Sequence, residues 1–392
     1  MIVIKRVLPI IVISQFFCTS LWFAGNAVMA DLIITFNLNN NTLAHLTSAV
    51  QFGFIFGTLI FALFTISDRF SPSRVFFVCA IAGALFNLGT IINSNSLITL
   101  LIYRFLTGFF LAGIYPVGMK IAADYYNKGL GKSLGFLVGA LVLGTAFPHL
   151  LKGFTEELPW KLVLIFTSSI AFIGGLLMLI FVPNGPYRTS SQKLNFKAWL
   201  SVFKSTKFRA AAFGYFGHMW ELYTFWAFVP IILETYLIMY PNANLNIPLL
   251  SFMIIGVGSI ACIIGGYVSQ YFGVKKIAFI ALFLSCTCCL ISPLMLRLNS
   301  SVIFISFLMF WGMVVIADSP LFSTLVAQNA DSKTKGTALT IVNCIGFSIT
   351  IISIQFITNI SSFLNPRYIY LFLAIGPILG LISLFSKRNL RN

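Results

Sequence analysis

The sequence predicts an all-α membrane protein of twelve transmembrane helices, built as two six-helix bundles related by a pseudo-twofold repeat. Three observations predict it. Apolar blocks of about 20 residues recur from end to end, the length a helix needs to cross about 30 Å of hydrocarbon. The 392 residues are 59% hydrophobic and only 9% charged, with mean hydropathy +0.97, which is too charge-poor for a surface facing water. A long basic connection near the middle also separates halves whose short motifs recur in the same order.

The expected spans, in order, begin with 7–29 after Lys5 and Arg6, 44–66 before Arg69, and 74–93 starting at Arg74. Then come 97–118, which contains Arg104, the glycine-bearing 133–151 after Lys132, and 160–182 before the central connection. The second half supplies 208–238 after Lys207, 248–269 before Lys275 and Lys276, and 277–296 before Arg297. It closes with 300–324, 337–358 after Lys335, and 368–386 before Lys387 and Arg388. The first span is expected to be retained, although Val28-Met29-Ala30 faintly resembles a signal-peptidase site, because its apolar stretch exceeds the usual h-region.

Orientation follows from the loop charges. Of the 25 Lys and Arg, Arg104 lies inside a span and Lys152, Lys161, Arg297 and Arg367 fall on one side, leaving 20 on the other. That side is expected to be cytoplasmic, with both termini there, in a multi-pass protein of the cytoplasmic (inner) membrane. The formal charge of +16 is then accounted for by the anionic inner leaflet, and no nucleic-acid partner is expected. All seven cysteines fall within spans, and Cys286, Cys288 and Cys289 have no nearby His or carboxylate. They read as small buried apolar side chains without a metal.

Between helices six and seven lies NGPYRTSSQKLNFKAWLSVFKSTKF, basic and without an acid. It divides the chain into an N-terminal bundle, 1–183, a cytoplasmic linker, 184–207, and a C-terminal bundle, 208–392. Within it, NFKAWLSVFK has the pattern of a short amphipathic surface helix. FTISDRFSPSR (64–74) corresponds to GYVSQYFGVKK (266–276), GFFLAGIYP (108–116) to GMVVIADSP (312–320), and SLWFAG (20–25) to HMWELY (218–223). Matches in constant order indicate duplication, and repeated halves are how many transporters provide two bodies for alternating access.

With halves, repeat and loop motif together, the chain resembles the major facilitator superfamily over essentially its full length. The family's loop between helices two and three reads G-x-x-x-D-R/K-x-G-x-R-R/K. Here Asp68, Arg69 and Arg74 stand in place, while Phe64 and Ser71 replace the glycines. The second copy keeps Gly266, Gly273, Lys275 and Lys276, with Gln270 in place of the acid. Arg104 matches the arginine early in helix four of many proton-coupled members. Gly135, Gly139, Gly144 and Pro148 loosely resemble the helix-five pattern of antiporters, but do not choose export over import.

A charge at membrane depth faces a polar cavity, finds a partner or snorkels. Arg104 is therefore expected to bind an anionic substrate or a carboxylate, or else to be tied to helix-end carbonyls or lipid phosphate. The densest polar group is GHMWELYTFWAFVP (217–230), where His218 and Glu221 are i,i+3 on one face, about 15 Å into the membrane. They fit proton or substrate handling, a structural interhelical hydrogen-bond pair, or, with only two ligands, a weak metal motif. Asp318, just before Pro320, is a second carboxylate for coupling or gating. Trp22, Trp220, Tyr223, Trp226 and Trp311 are candidate cavity aromatics.

At the inner mouth a gate is expected, with Asp68 approaching the start of helix eleven near Thr337 and Arg74 or Arg69 pairing with Asp124. Plain interfacial charge is the alternative.

The function implied is proton-coupled secondary transport of a small polar or charged solute by a rocker-switch mechanism, in a monomer driven by the proton gradient. No cofactor is expected, and no G-x-x-x-x-G-K-S/T loop suggests ATP drive. An uncoupled facilitator and a non-transporting receptor are the alternatives, and no nucleophile-base spacing points to an enzyme.

Overall fold

The computed structural model describes residues 2–39, 41–126, 130–154, 159–188, 202–331 and 334–385. Among the described residues there is no strand. The apolar blocks all become helices, because a chain in lipid has to satisfy its backbone polar groups internally.

The transmembrane helices are α1 (Arg6–Thr19), α2 (Thr42–Leu63), α3 (Pro72–Gly89), α4 (Leu97–Tyr125), α5 (Ser133–Phe154) and α6 (Lys161–Phe181). The second six are α7 (Thr206–Met239), α8 (Ile247–Phe272), α9 (Val274–Met295), α10 (Ser301–Asn329), α11 (Lys335–Ser361) and α12 (Ile369–Phe385). Ten are long and apolar enough to span on their own, and α1 and α12 are shorter apolar helices. The chain divides into two compact units, Met1–Lys193 and Leu194–Asn392. The expected surface helix at 195–204 lies outside the described residues except for Val202–Lys204, which form one 3₁₀ turn.

The first expected span, 7–29, is not one helix. α1 stops at Thr19, and two short helices follow, Ala24–Ala27 and Met29–Thr35. Hydroxyls mark the stop: Thr19 Oγ1 donates to the Gln15 carbonyl at 2.8 Å and Ser20 Oγ to that of Phe17 at 2.7 Å, local bonds that compete with continued helix. The second short helix is fixed by Asp31, 2.8 Å from Lys152 at the end of α5.

α4 and α10 are each interrupted. α4 runs Leu97–Leu111 and resumes as Tyr115–Tyr125, with Pro116 in the first turn of the second piece. α10 runs Ser301–Ala317, breaks at Asp318, and resumes as Ser319–Asn329 with Pro320. Proline has no N–H for the carbonyl four residues earlier. In α10 that carbonyl belongs to Ile316, and Cys262 Sγ of α8 lies 3.5 Å from it.

The repeat is visible in the packing. A Cβ on Gly108 of α4 would collide with the carbonyl of Val50 on α2, and one on Gly312 of α10 with that of Ile254 on α8. Gly108 and Gly312, Val50 and Ile254, and Pro116 and Pro320 are each 204 positions apart. Glycine here permits backbone-to-backbone approach.

Candidate functional site

Each unit holds a charged side chain in its interior, and each charge is satisfied differently. In the N-terminal unit, Arg104 of α4 is 1% exposed. Its Nη2 donates to the Trp22 carbonyl at 2.5 Å, and its Nη1 to the Leu21 carbonyl at 3.3 Å and to Asn87 Oδ1 of α3 at 3.2 Å. The break after α1 exposes these carbonyls, and the guanidinium fork collects them. Asn87 continues the network, its Nδ2 donating to Ser168 Oγ of α6 at 3.0 Å and to Thr167 Oγ1 at 3.3 Å. Gly25 leaves room for the arginine, since a Cβ there would come within 3.2 Å of Nε. No carboxylate forms an ion pair with Arg104 among the described residues of its unit. Of the roles expected for it, the contacts present are those to helix-end carbonyls.

In the C-terminal unit, Glu221 of α7 is also 1% exposed. Its Oε1 accepts from Ser285 Oγ at 2.5 Å, Trp311 Nε1 at 2.7 Å and Cys289 Sγ at 3.2 Å. Ser285 and Cys289 are i,i+4 on α9 and Trp311 is on α10, so one oxygen ties three helices together. Three donors on one oxygen suit an ionised carboxylate.

His218 and Glu221 share the expected side of α7 but have different partners. His218 Nδ1 is 2.7 Å from Asp318 Oδ1, and both side chains are 1% exposed. Asp318 stands at the break in α10, about two turns past Trp311 and its carboxylate bond. Among the described residues His218 Nε2 and Asp318 Oδ2 have no hydrogen-bond partner, so the pair has an open site at each end. Since Nδ1 faces the carboxylate, it carries the proton in the neutral tautomer, and Nε2 retains a lone pair.

The candidate aromatics are built into their own units. Trp22 lies 4.8 Å from the Phe54 ring, and Trp220 Nε1 donates to the Phe372 carbonyl of α12 at 3.0 Å. Tyr223 packs edge-on to Trp226 at 5.2 Å and against Phe347 of α11 at 5.3 Å. Trp311, besides holding Glu221, packs on Phe225 at 4.4 Å.

At the expected gate, the cation beside Asp68 is Lys120, at 2.7 Å, and it lies 3.9 Å from Asp124. Among the described residues neither Arg69 nor Arg74 forms an ion pair with Asp124. The reason is geometric: Lys120 is one turn before Asp124 on the same helix and so reaches both carboxylates. Arg188 adds a clamp, its Nη2 donating to the carbonyls of Asp68 and Phe70, each at 2.8 Å.

Asn87, Ser285, Cys289, Lys120 and Arg188 were not singled out by the sequence. Asn87 had a usable signal, a lone amide in an apolar helix. Cys289, read as an apolar filler, is instead a donor to a carboxylate.

The sequence model of the Major Facilitator Superfamily matches residues 11–354. The chain belongs to this superfamily of membrane transporters and is a multi-pass membrane protein. It is 29% identical over 138 residues to the multidrug transporter TPO3 of Candida glabrata, a match covering 35% of this chain and 21% of that protein. The chain thus spans about a fifth of the length of this curated relative. Its fold is similar to the crystal structure of the human organic anion transporter MFSD10 (TETRAN), with TM-score 0.77 and 14% identity, covering 97% of this chain and 99% of that one.

Proposed function

We propose that this transporter moves a small polar or charged solute across the cytoplasmic membrane by alternating access, coupled to protons through His218 and Asp318. The observation that carries the reading is the 2.7 Å pair with an open Nε2. With neutral histidine and ionised aspartate the pair holds one net negative charge in an apolar interior. A proton on Nε2 takes it to zero, so loading and release change a buried charge at the break of α10. Arg104 and Glu221 are candidate substrate or coupling ligands. Trp22, Trp220, Tyr223, Trp226 and Trp311 are candidate cavity aromatics. The protein works as a monomer, with both termini cytoplasmic, without a cofactor, and is not an enzyme.

The test is transport in proteoliposomes. Metabolites that raise the unfolding temperature of the purified protein are assayed by counterflow and then under an imposed pH gradient. Accumulation that follows the gradient is expected, and the same flux with and without it removes coupling.

One observation favours a second reading, an uncoupled facilitator. Arg104 and Glu221 each have three protein hydrogen bonds within their own unit, which is what structural charges look like. Under that reading counterflow proceeds, but an imposed pH gradient drives no accumulation even in the wild-type protein.

A further inference from the structure

Arg74 is left without a role by the site just described, because Lys120 occupies the position beside Asp68 and Asp124. It lies instead in the wall of a cavity of about 380 Å³ with Ser71, Asn184 and Arg188. The C-terminal unit has a cavity of about 210 Å³ lined by Lys207, Lys275 and Asn329, with Leu384 at its side. No carboxylate is among the described lining residues of either. We propose that these two cavities are headgroup sites for anionic phospholipid.

Three observations support the assignment. First, each unit places a basic cavity against the start of its third helix. Arg74 opens α3 and Val182 follows α6 in one; in the other Lys275 opens α9, and most of the wall comes from the start of α7, with Lys207 and Ala211, and the end of α10, with Leu325 and Asn329. The loops supplying these cations have otherwise diverged, with Asp68 in one and Gln270 in the other. Second, each cavity combines cations with neutral donors, the set that receives a phosphodiester. Ser71 Oγ donates to Asn184 Oδ1 at 2.9 Å, which leaves the Asn184 amide N–H₂ to donate outward. Arg188 is partly committed to the carbonyls of Asp68 and Phe70, so Arg74 is the cation available to a ligand. Third, the neighbouring residues are apolar and uncovered. Val78, Ile180 and Phe181 in one unit, and Tyr271, Phe272 and Phe385 in the other, are exposed. A free phosphate has no use for such surroundings, whereas acyl chains below a bound headgroup do.

The experiment is native mass spectrometry of the full chain, released from detergent with equal amounts of phosphatidylglycerol and phosphatidylcholine. The intact protein is expected to retain phosphatidylglycerol preferentially. Arg74→Gln, and separately Lys207→Gln with Lys275→Gln, should each lower that retention by about fivefold for every cation removed. Arg74→Lys, which keeps the charge, should retain it, and this variant also separates loss of binding from loss of fold. Inorganic phosphate at millimolar concentration should not displace the lipid. Equal retention of the two lipids, unchanged retention in both neutralised variants, or displacement by inorganic phosphate would each overturn the assignment, the last by reducing the cavities to small-anion sites.

Discussion

Asp318 Oδ1 lies 2.7 Å from His218 Nδ1, and this contact fastens the break in α10 to α7. Asparagine at 318 keeps the size and one acceptor but removes the ionisable oxygen. Under the coupled reading, Asp318→Asn should abolish accumulation driven by a pH gradient and retain counterflow. Both activities surviving in proteoliposomes would leave this pair with a packing role only.

Glu221 Oε1 is the shared acceptor for Ser285, Cys289 and Trp311. Glu221→Ala strands buried donors, at a cost of about 1–3 kcal/mol for each one left unpaired. Glu221→Gln retains a carbonyl oxygen and should cost less. The unfolding temperature in detergent should therefore rank wild type, then Gln, then Ala. An alanine variant as stable as the parent would mean these three bonds contribute nothing.

Arg104 bridges two backbone carbonyls and Asn87 at once. Lysine has a point charge and no fork, so Arg104→Lys should destabilise the N-terminal unit despite conserving charge. Combined with Asn87→Ala, the loss should be less than additive, with a coupling of about 0.5–3 kcal/mol. Strict additivity in a double-mutant thermal series would show that the two side chains act independently.

Asp68 and Lys120 are 2.7 Å apart. Asp68→Asn should reduce transport while leaving membrane abundance intact, and the exchange of the two charges, Asp68→Lys with Lys120→Asp, should restore part of it. Transport by Asp68→Asn equal to wild type would remove any gating role for the pair.

Gly312 has the Ile254 carbonyl against it, whereas Gly266 has nothing within 4 Å of the position a Cβ would take. Gly312→Ala should force α8 and α10 apart and cut the yield of folded protein, and Gly266→Ala should be tolerated. Equal behaviour in a fluorescence-detected size-exclusion assay would mean the crossing is soft.

What the sequence makes legible is what depends on spacing along one helix. The apolar blocks give the helices, Pro116 and Pro320 mark the interruptions in α4 and α10, and Gly108 and Gly312 mark the crossings. What it leaves hidden depends on which faces meet. Glu221 and Trp311 are 90 positions apart, and Arg104 and Trp22 are 82 apart, so no local pattern announces either bond. The end of α1 at Thr19 has no proline or glycine beside it; its exposed carbonyls are tolerated because Arg104, far along the chain, satisfies them. The same limit explains Lys120, whose place beside Asp68 comes from the packing of α4 and not from the loop motif.

The crossings at Gly108 and Gly312 have a mechanical side. Where two helices touch backbone to backbone, no side-chain knobs interlock at the nearest point, so one can swivel over the other with little repacking. Each unit therefore contains a plain bearing at the same place in the duplicated chain. Past it, on α4 and on α10 alike, comes a proline joint that lets the far segment tilt while the bearing keeps its seat.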